Sequence, residues 1–225
     1  DSSYGRPEDL KELIDEAHAR NLMVFLDVVY NHFGPKGNYL SIYAPVMTEK
    51  HDTSWGPAVN FDDDGSRMIR DFVMANARYW LNEFHFDGLR FDAVHAIADS
   101  GPKHMLQDLA EQIRAATDGR HVHLVAENAK NQAGWLKRRD DGTPGLYTAQ
   151  WSDDIHHLLH TAATGERFWY YADFAGRIDL LGRALAEGFA WQGEFMEHEG
   201  ANKGEPSAHL PPAAFVSDLQ NHDQI

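Results

Sequence analysis

The sequence predicts an α/β fold in which amphipathic helices alternate with short parallel strands. Two observations predict it: a helix-to-apolar-strand step occurs three times in the chain, and each of those strands closes on an acidic residue.

The first step opens at Pro7, followed by Glu8 and Asp9, a combination suited to a helix N-terminus. Leu10, Leu13, Ile14 and Ala17 then repeat at helical spacing up to Asn21, a residue that tolerates a left-handed cap. Residues 22–29 form a near-continuous apolar run, which predicts a strand covered on both faces. The second step pairs a helix capped by Ser66, with Ile69, Phe72, Val73, Trp80 and Leu81 inward, and a strand over 86–92. In the third, Pro102 opens a helix with Leu106, Leu109 and Ile113 inward, Gly119 ends it, and 122–127 is the strand. Further strands are expected at 148–151 and 214–220, and more helix at 180–189. Residues 33–65, rich in Gly, Pro, Asn and Tyr, are too long for a simple turn and are read as an inserted subdomain within a single 1–225 unit.

Composition excludes several classes. A formal net charge of -15 disfavours a sequence-independent grip on nucleic acid, which relies on Lys and Arg. No apolar run is long enough to span a bilayer, so no membrane partner is expected. The absence of cysteine removes disulfides and thiolate metal sites and suits a cytoplasmic location. No cofactor is expected, and no Gly-rich phosphate loop follows any strand. The adjacent His156 and His157 lack acids at matching spacing, and the triplet Asp62, Asp63, Asp64 lacks the later ligands of a calcium loop. That triplet is read as a solvated turn, and no metal site is expected.

Periodicity leaves both an open doubly wound sheet and a closed barrel in play. The acids favour the barrel, because Asp27, Asp92 and Glu127 each end a strand, and barrel active sites gather residues from several strand ends. Arg90 and Asp92, two apart, share one face. An arginine beside an aspartate favours the carboxylate, the form needed by a nucleophile, although the pair alone is also compatible with a plain salt bridge. Glu127 ends an apolar strand, where burial and neighbouring acids suit a general acid. Two carboxyl groups about 5 Å apart would act on a glycosidic bond with retention, and a wider gap would give inversion.

Four short motifs, DVVYNH at 27–32, GLRFD at 88–92, VAEN at 125–128 and NHD at 221–223, resemble in order the four hallmark segments of the α-amylase superfamily of glycoside hydrolases. The resemblance implies a (β/α)8 TIM barrel of which this chain holds about strands 3 to 7, with the inserted subdomain following strand 3. It implies Asp92 as nucleophile, Glu127 as acid and base, and Asp223 as a third carboxylate stabilising the transition state. It further implies His32 and His222 as hydrogen-bond donors to the sugar, Arg90 orienting Asp92, and Asp27 bracing Arg90. Longer stretches, including FGPKGNYL at 33–40, WSDDIHH at 151–157 and GFAWQGE at 188–194, resemble a subgroup acting on malto-oligosaccharides that end in trehalose. The expected substrate is therefore malto-oligosyltrehalose or a related α-glucan, read by His95, Trp151, Asp153, Asp154 and His157 in loops after the strands. The sequence departs from the subgroup at AK (129–130) and RFW (167–169). Branching, debranching or amylolytic members, an inactive glucan-binding barrel and a metal-dependent hydrolase are the alternatives.

Overall fold

The computed structural model describes residues 2–34, 36–117 and 119–224. The expectations touching Asp1, Pro35, Asp118 and Ile225 lie outside the described residues. The chain divides into two compact units, Asp1–Val125 and Ala126–Ile225.

In the first unit, α1 (Pro7–His18) begins as the sequence predicts, with Pro7 at its first position and the Arg6 backbone N–H donating to the Asp9 carboxylate at 2.8 Å. Asn21 follows in the left-handed region, at φ 58°. Strand β1 (Phe25–Val28) is shorter than the apolar run and more exposed than expected. It lies at the end of its sheet, so Leu22, Met23 and Phe25 stay accessible and the double burial predicted for 22–29 is absent. Between β1 and the next long helix come a single helical turn, α2 (Leu40–Tyr43), and an antiparallel hairpin of β2 (Met47–Thr53) and β3 (Gly56–Val59).

Helix α3 (Ser66–Glu83) is capped by Gly65 at φ 77°, and Ser66 is its first residue instead of its cap. Ile69, Val73, Met74, Ala77 and Leu81 make its buried stripe. Phe72, expected in that stripe, is 58% exposed because its position falls on the outer face. Strand β4 (Gly88–Phe91) is buried throughout and pairs in parallel with β1. Gly88 is required there, since a Cβ would stand 2.5 Å from the His123 carbonyl oxygen. Helix α4 (Met105–Ala116) starts after His104, whose ring accepts from the Leu106 N–H. It packs Leu106, Leu109 and Ile113 inward, each burial stabilising the fold by about 2 kcal/mol. Strand β5 (His123–Glu127) crosses the boundary between the units.

Within the acidic triplet, Asp63 and Asp64 are exposed in a turn, as expected, but Asp62 is not. The Asp62 side chain is fully buried and accepts hydrogen bonds from Lys50 Nζ at 2.9 Å, His51 Nε2 at 2.9 Å, and the backbone N–H and Oγ of Ser100 at 2.7 Å each. Burial alone would raise its pKa, but these donors outweigh it and hold the carboxyl far below the usual range. Asp62 thereby fastens β2 to the segment after β4.

In the second unit, β6 (Ala149–Trp151) pairs in parallel with β9 (Phe215–Val216). Between them come α5 (Asp153–Thr164), α6 (Ile178–Glu187) and a small hairpin, β7 (Phe195–Met196) with β8 (Ala201–Asn202). Helices α5 and α6 pack over a core of Ile155, Leu158, Phe174, Leu180, Ala184, Trp191 and Met196. Helix α5 was not expected: 151–157 was read as a loop, yet the helix starts at Asp153, one residue after Ser152. Each unit combines parallel strand pairing with helices, so the α/β class stands.

Candidate active site

The first unit supplies an acid network built by strand register. Asp27 on β1 lies directly opposite Arg90 on β4. Arg90 and Asp92 share a face, as two-residue spacing requires. The Arg90 guanidinium donates through Nη1 to both Asp27 oxygens, at 2.9 and 3.0 Å, and to Asp92 Oδ1 at 2.8 Å. Its side chain is almost wholly buried, so this cation acts where water screens it little. The Asp92 backbone N–H continues the ladder to the Val28 carbonyl, and Ala93 follows at φ 39°, a left-handed conformation disfavoured for a residue with a Cβ.

The other Asp92 oxygen belongs to Asn31. Asn31 is buried, and its Nδ2 donates to Asp92 Oδ2 at 3.0 Å and to the Asp92 carbonyl at 2.8 Å. Its Oδ1 therefore faces His32 and accepts from Nδ1, leaving Nε2 as the ring nitrogen open to a ligand. The His32 ring lies on Trp55, with centroids 4.6 Å apart and planes 8° apart. Sequence reasoning selected His32 but missed Asn31 as a brace of Asp92 and Trp55 as the surface beneath the imidazole. His95 sits in a short 3-10 turn over Val94–Ala96, half-buried, in the segment after Asp92.

In the second unit, Glu127 ends β5 and is half-buried. The following residue, Asn128, is locked: its carbonyl accepts from Gln150 Nε2 at 2.8 Å, its Nδ2 donates to Gln132, and its Oδ1 accepts the Lys130 N–H. Asp153, at the first turn of α5, has its carboxyl pushed up to about 7 by burial and by the negative charges of Glu127 and Asp154. Trp151 meets His222 edge to face, with centroids 6.1 Å apart. His222 and Asp223 are exposed, and the Asp223 N–H donates to Asn221 Oδ1 at 2.9 Å, fixing a tight polar turn.

Asp154 and His157, expected to bond a sugar, are placed differently. Asp154 is 1% exposed, and its Oδ2 accepts from Asn131 Nδ2 at 2.7 Å and from the backbone N–H groups of Ala190 and Trp191 at 2.8 and 3.2 Å. His157 is buried among Tyr170, Tyr171 and Phe174, and burial, with His156, Lys203 and His160 nearby, pushes its imidazole down to about 3. Both face inward because α5 turns them into its own core. The expectation that they contact substrate is corrected accordingly. Among the described residues no group of three or more His, Asp or Glu is arranged to hold a metal ion, and no helix is long and apolar enough to cross a membrane.

Comparison with known proteins places these features. The model of the alpha amylase catalytic domain matches residues 1–54. Malto-oligosyltrehalose trehalohydrolases from Saccharolobus solfataricus and Deinococcus radiodurans are each 41% identical to the chain, over 100% and 99% of it. The chain spans 39% and 36% of their lengths. A crystal structure from Salmonella typhimurium assigned to the alpha amylases superposes with a TM-score of 0.92 at 45% identity, covering 99% of this chain and 38% of that one. With its ordered motifs, its Asp27–Arg90–Asp92 network and these relatives, the chain belongs to the α-amylase family of glycoside hydrolases.

Proposed function

We propose that the protein to which this chain belongs hydrolyses the α-1,4-glucosidic bond next to the terminal trehalose unit of malto-oligosyltrehalose, releasing trehalose with retention. The observation that carries the reading is the similarity to a trehalohydrolase over the whole of this chain at 41% identity, together with an Asp92 whose two oxygens are held by Arg90 and Asn31.

In the first step an Asp92 oxygen attacks the anomeric carbon while Glu127 donates its proton to the departing glycosidic oxygen. The trehalose leaves as an alcohol, and a glycosyl ester on Asp92 remains. In the second, Glu127 takes a proton from water, the resulting hydroxide attacks the anomeric carbon, and Asp92 is released as carboxylate. Asp223 stabilises the positive charge developing on the sugar ring. Arg90 and Asn31 each hold one oxygen of Asp92 and so fix its carboxylate in place, so little reorganisation is needed as the ester forms. His32, through Nε2, and His222 bond sugar hydroxyls, with His95, Trp151 and Asp153 contributing to the leaving-group side. The mechanism asks for no metal or cofactor.

The test is a competition between a trehalose-capped and an uncapped malto-oligosaccharide of equal length. The capped substrate should have the higher kcat/KM, with trehalose as product. Equal values would remove the trehalohydrolase reading and leave an amylolytic or debranching member of the same family.

A further inference from the structure

The second unit contains a cavity of about 480 Å³ that involves none of the residues assigned to the reaction. It is bordered by Arg177 and Arg183, by Asp173, Glu194 and Glu197, and by the aromatic pair Trp191 and Phe195. Its size falls within the range of small-molecule sites.

The polar groups around it are of both kinds and only partly engaged. Arg177 forks onto Asp179 through Nε and Nη2, at 3.0 and 2.7 Å, which leaves Nη1 uncommitted. Arg183 uses Nη1 for the Ala190 carbonyl and Glu194, which leaves Nε and Nη2. Asp173 receives the His198 N–H on Oδ2 at 2.8 Å, with Oδ1 remaining, and the Glu197 carboxylate takes no side-chain hydrogen bond among the described residues. The apolar component is equally specific. Trp191 is almost fully buried, with the Arg177 guanidinium 5.9 Å above its ring, whereas Phe195 is 52% exposed on the β7–β8 hairpin. Phe195 stands on a two-residue strand beside the crevice, so its ring is open to a ligand seated there.

These features select one ligand chemistry. Phosphate or another polyanion meets three carboxylates, and a simple cation meets two guanidinium groups. A neutral polyol satisfies both, because each hydroxyl donates to a carboxylate and accepts from an arginine, while the C–H face of a pyranose ring lies on an aromatic side chain. We propose that this cavity is a second binding site for α-glucan, with Phe195 as its stacking surface and Arg177 and Glu197 as its hydroxyl readers. The choice of glucan over other neutral sugars rests on the proposed hydrolytic function; the polyol chemistry rests on the cavity alone. Such a site would retain a long glucan between encounters of its end with the catalytic acids, raising apparent affinity without a new catalytic group.

The experiment uses the intact protein and β-cyclodextrin, a closed α-glucan with no end to cleave. Titration calorimetry and protein-detected NMR would compare wild type with Phe195→Ala and with the milder pair Arg177→Gln and Glu197→Gln. The expected result is a binding event in the wild type that weakens at least tenfold in Phe195→Ala and in the paired variant. The variants should keep kcat on a short trehalose-capped substrate and lose affinity for long ones. Cyclodextrin binding unchanged in both variants, or absent from the wild type, would overturn the proposal. Trehalose release is a separate readout: its loss with Phe195-dependent binding intact would sink the hydrolytic reading only. Its persistence without such binding would sink the second site only.

Discussion

The imidazole of His32 lies nearly parallel to the indole of Trp55, 8° between planes, while its Nδ1 is held by Asn31, the same residue that holds Asp92. The ring therefore has its plane set by one neighbour and its rotation set by another. Trp55 comes from the β2–β3 hairpin, so this hairpin reaches the acid network through the stack. Replacing Trp55 with Ala should free the ring and lower kcat/KM by about tenfold, the upper end of what an aromatic pair contributes. Trp55→Phe should recover most of it. Steady-state kinetics on both variants checks this, and an unchanged Trp55→Ala enzyme would separate the hairpin from the reaction.

Asp92→Asn should lower turnover by roughly a thousandfold or more, about 4 kcal/mol in barrier, because an amide cannot form the glycosyl ester. The fold should survive, since Asn keeps an oxygen for Arg90. Circular dichroism with single-turnover kinetics would show both; turnover near wild type would remove Asp92 as nucleophile.

At Arg90, lysine keeps the charge on a more flexible stem. A single nitrogen, Nη1, bridges Asp27 and Asp92, and its place is set by the planar guanidinium, whereas the lysine ammonium has a shorter reach and no fixed plane to hold it between the two carboxylates. Arg90→Lys should therefore cut kcat by ten- to a hundredfold with a smaller change in KM, about 1.4 to 2.7 kcal/mol in barrier. A change confined to KM would mean that Arg90 serves substrate binding and not Asp92.

The acid network was legible because Arg90 and Asp92 stand two apart near the end of an apolar strand and because its members fall within motifs in a fixed order; a lone aspartate at a strand end would read more readily as a turn or cap former. Other parts were hidden for identifiable reasons. Trp55 stands alone in a Gly- and Pro-rich stretch, where no period marks which residues meet. Helix α5 was hidden by its own polarity: Asp153, Asp154, His156 and His157 read as loop, whereas the helix buries three of them and satisfies Asp154 with N–H groups from distant loops. β1 was read as doubly covered because an apolar run reports composition and not the number of neighbouring strands.

Two groups in α5 should give the stability a two-sided pH dependence. Asp153 keeps its proton in the folded state up to about 7, while the unfolded chain loses it near 3.8, so stability falls as pH rises through that window. His157 stays neutral in the fold down to about 3, while the unfolded chain protonates near 6.5, so stability falls as pH drops below 6.5. Each slope is at most about 1.4 kcal/mol per pH unit, and the two oppose each other between about 4 and 6.5. Asp153→Asn should therefore raise stability between pH 5 and 7.5, and His157→Phe should flatten the acid side, with Phe accommodated by the surrounding aromatic rings. Urea unfolding at stepped pH would read both, and parallel curves for variant and wild type would contradict them.

Asp154 yields the sharpest separation between a structural and a ligand-binding role. Its Oδ2 gathers the amide of Asn131, four residues after Glu127, and two backbone N–H groups at 190 and 191. Asn131 is itself in the left-handed region at φ 52°, and its carbonyl accepts the Glu205 N–H. The buried carboxylate thus ties together the segment after β5, the segment after α6 and the chain near Glu205. Asp154→Ala should leave three donors unsatisfied in a dry interior and lower stability by about 3 kcal/mol or more. Asp154→Asn keeps an acceptor oxygen but weakens charge-assisted bonds and should lose less, about 1 to 2 kcal/mol. In both variants, any loss of activity at low temperature should appear in kcat, through the segment that follows Glu127, with KM for the glucan nearly unchanged. Denaturant titration with kinetics at a temperature where the variants stay folded makes the distinction: a rise in KM at unaltered stability would return Asp154 to the substrate site.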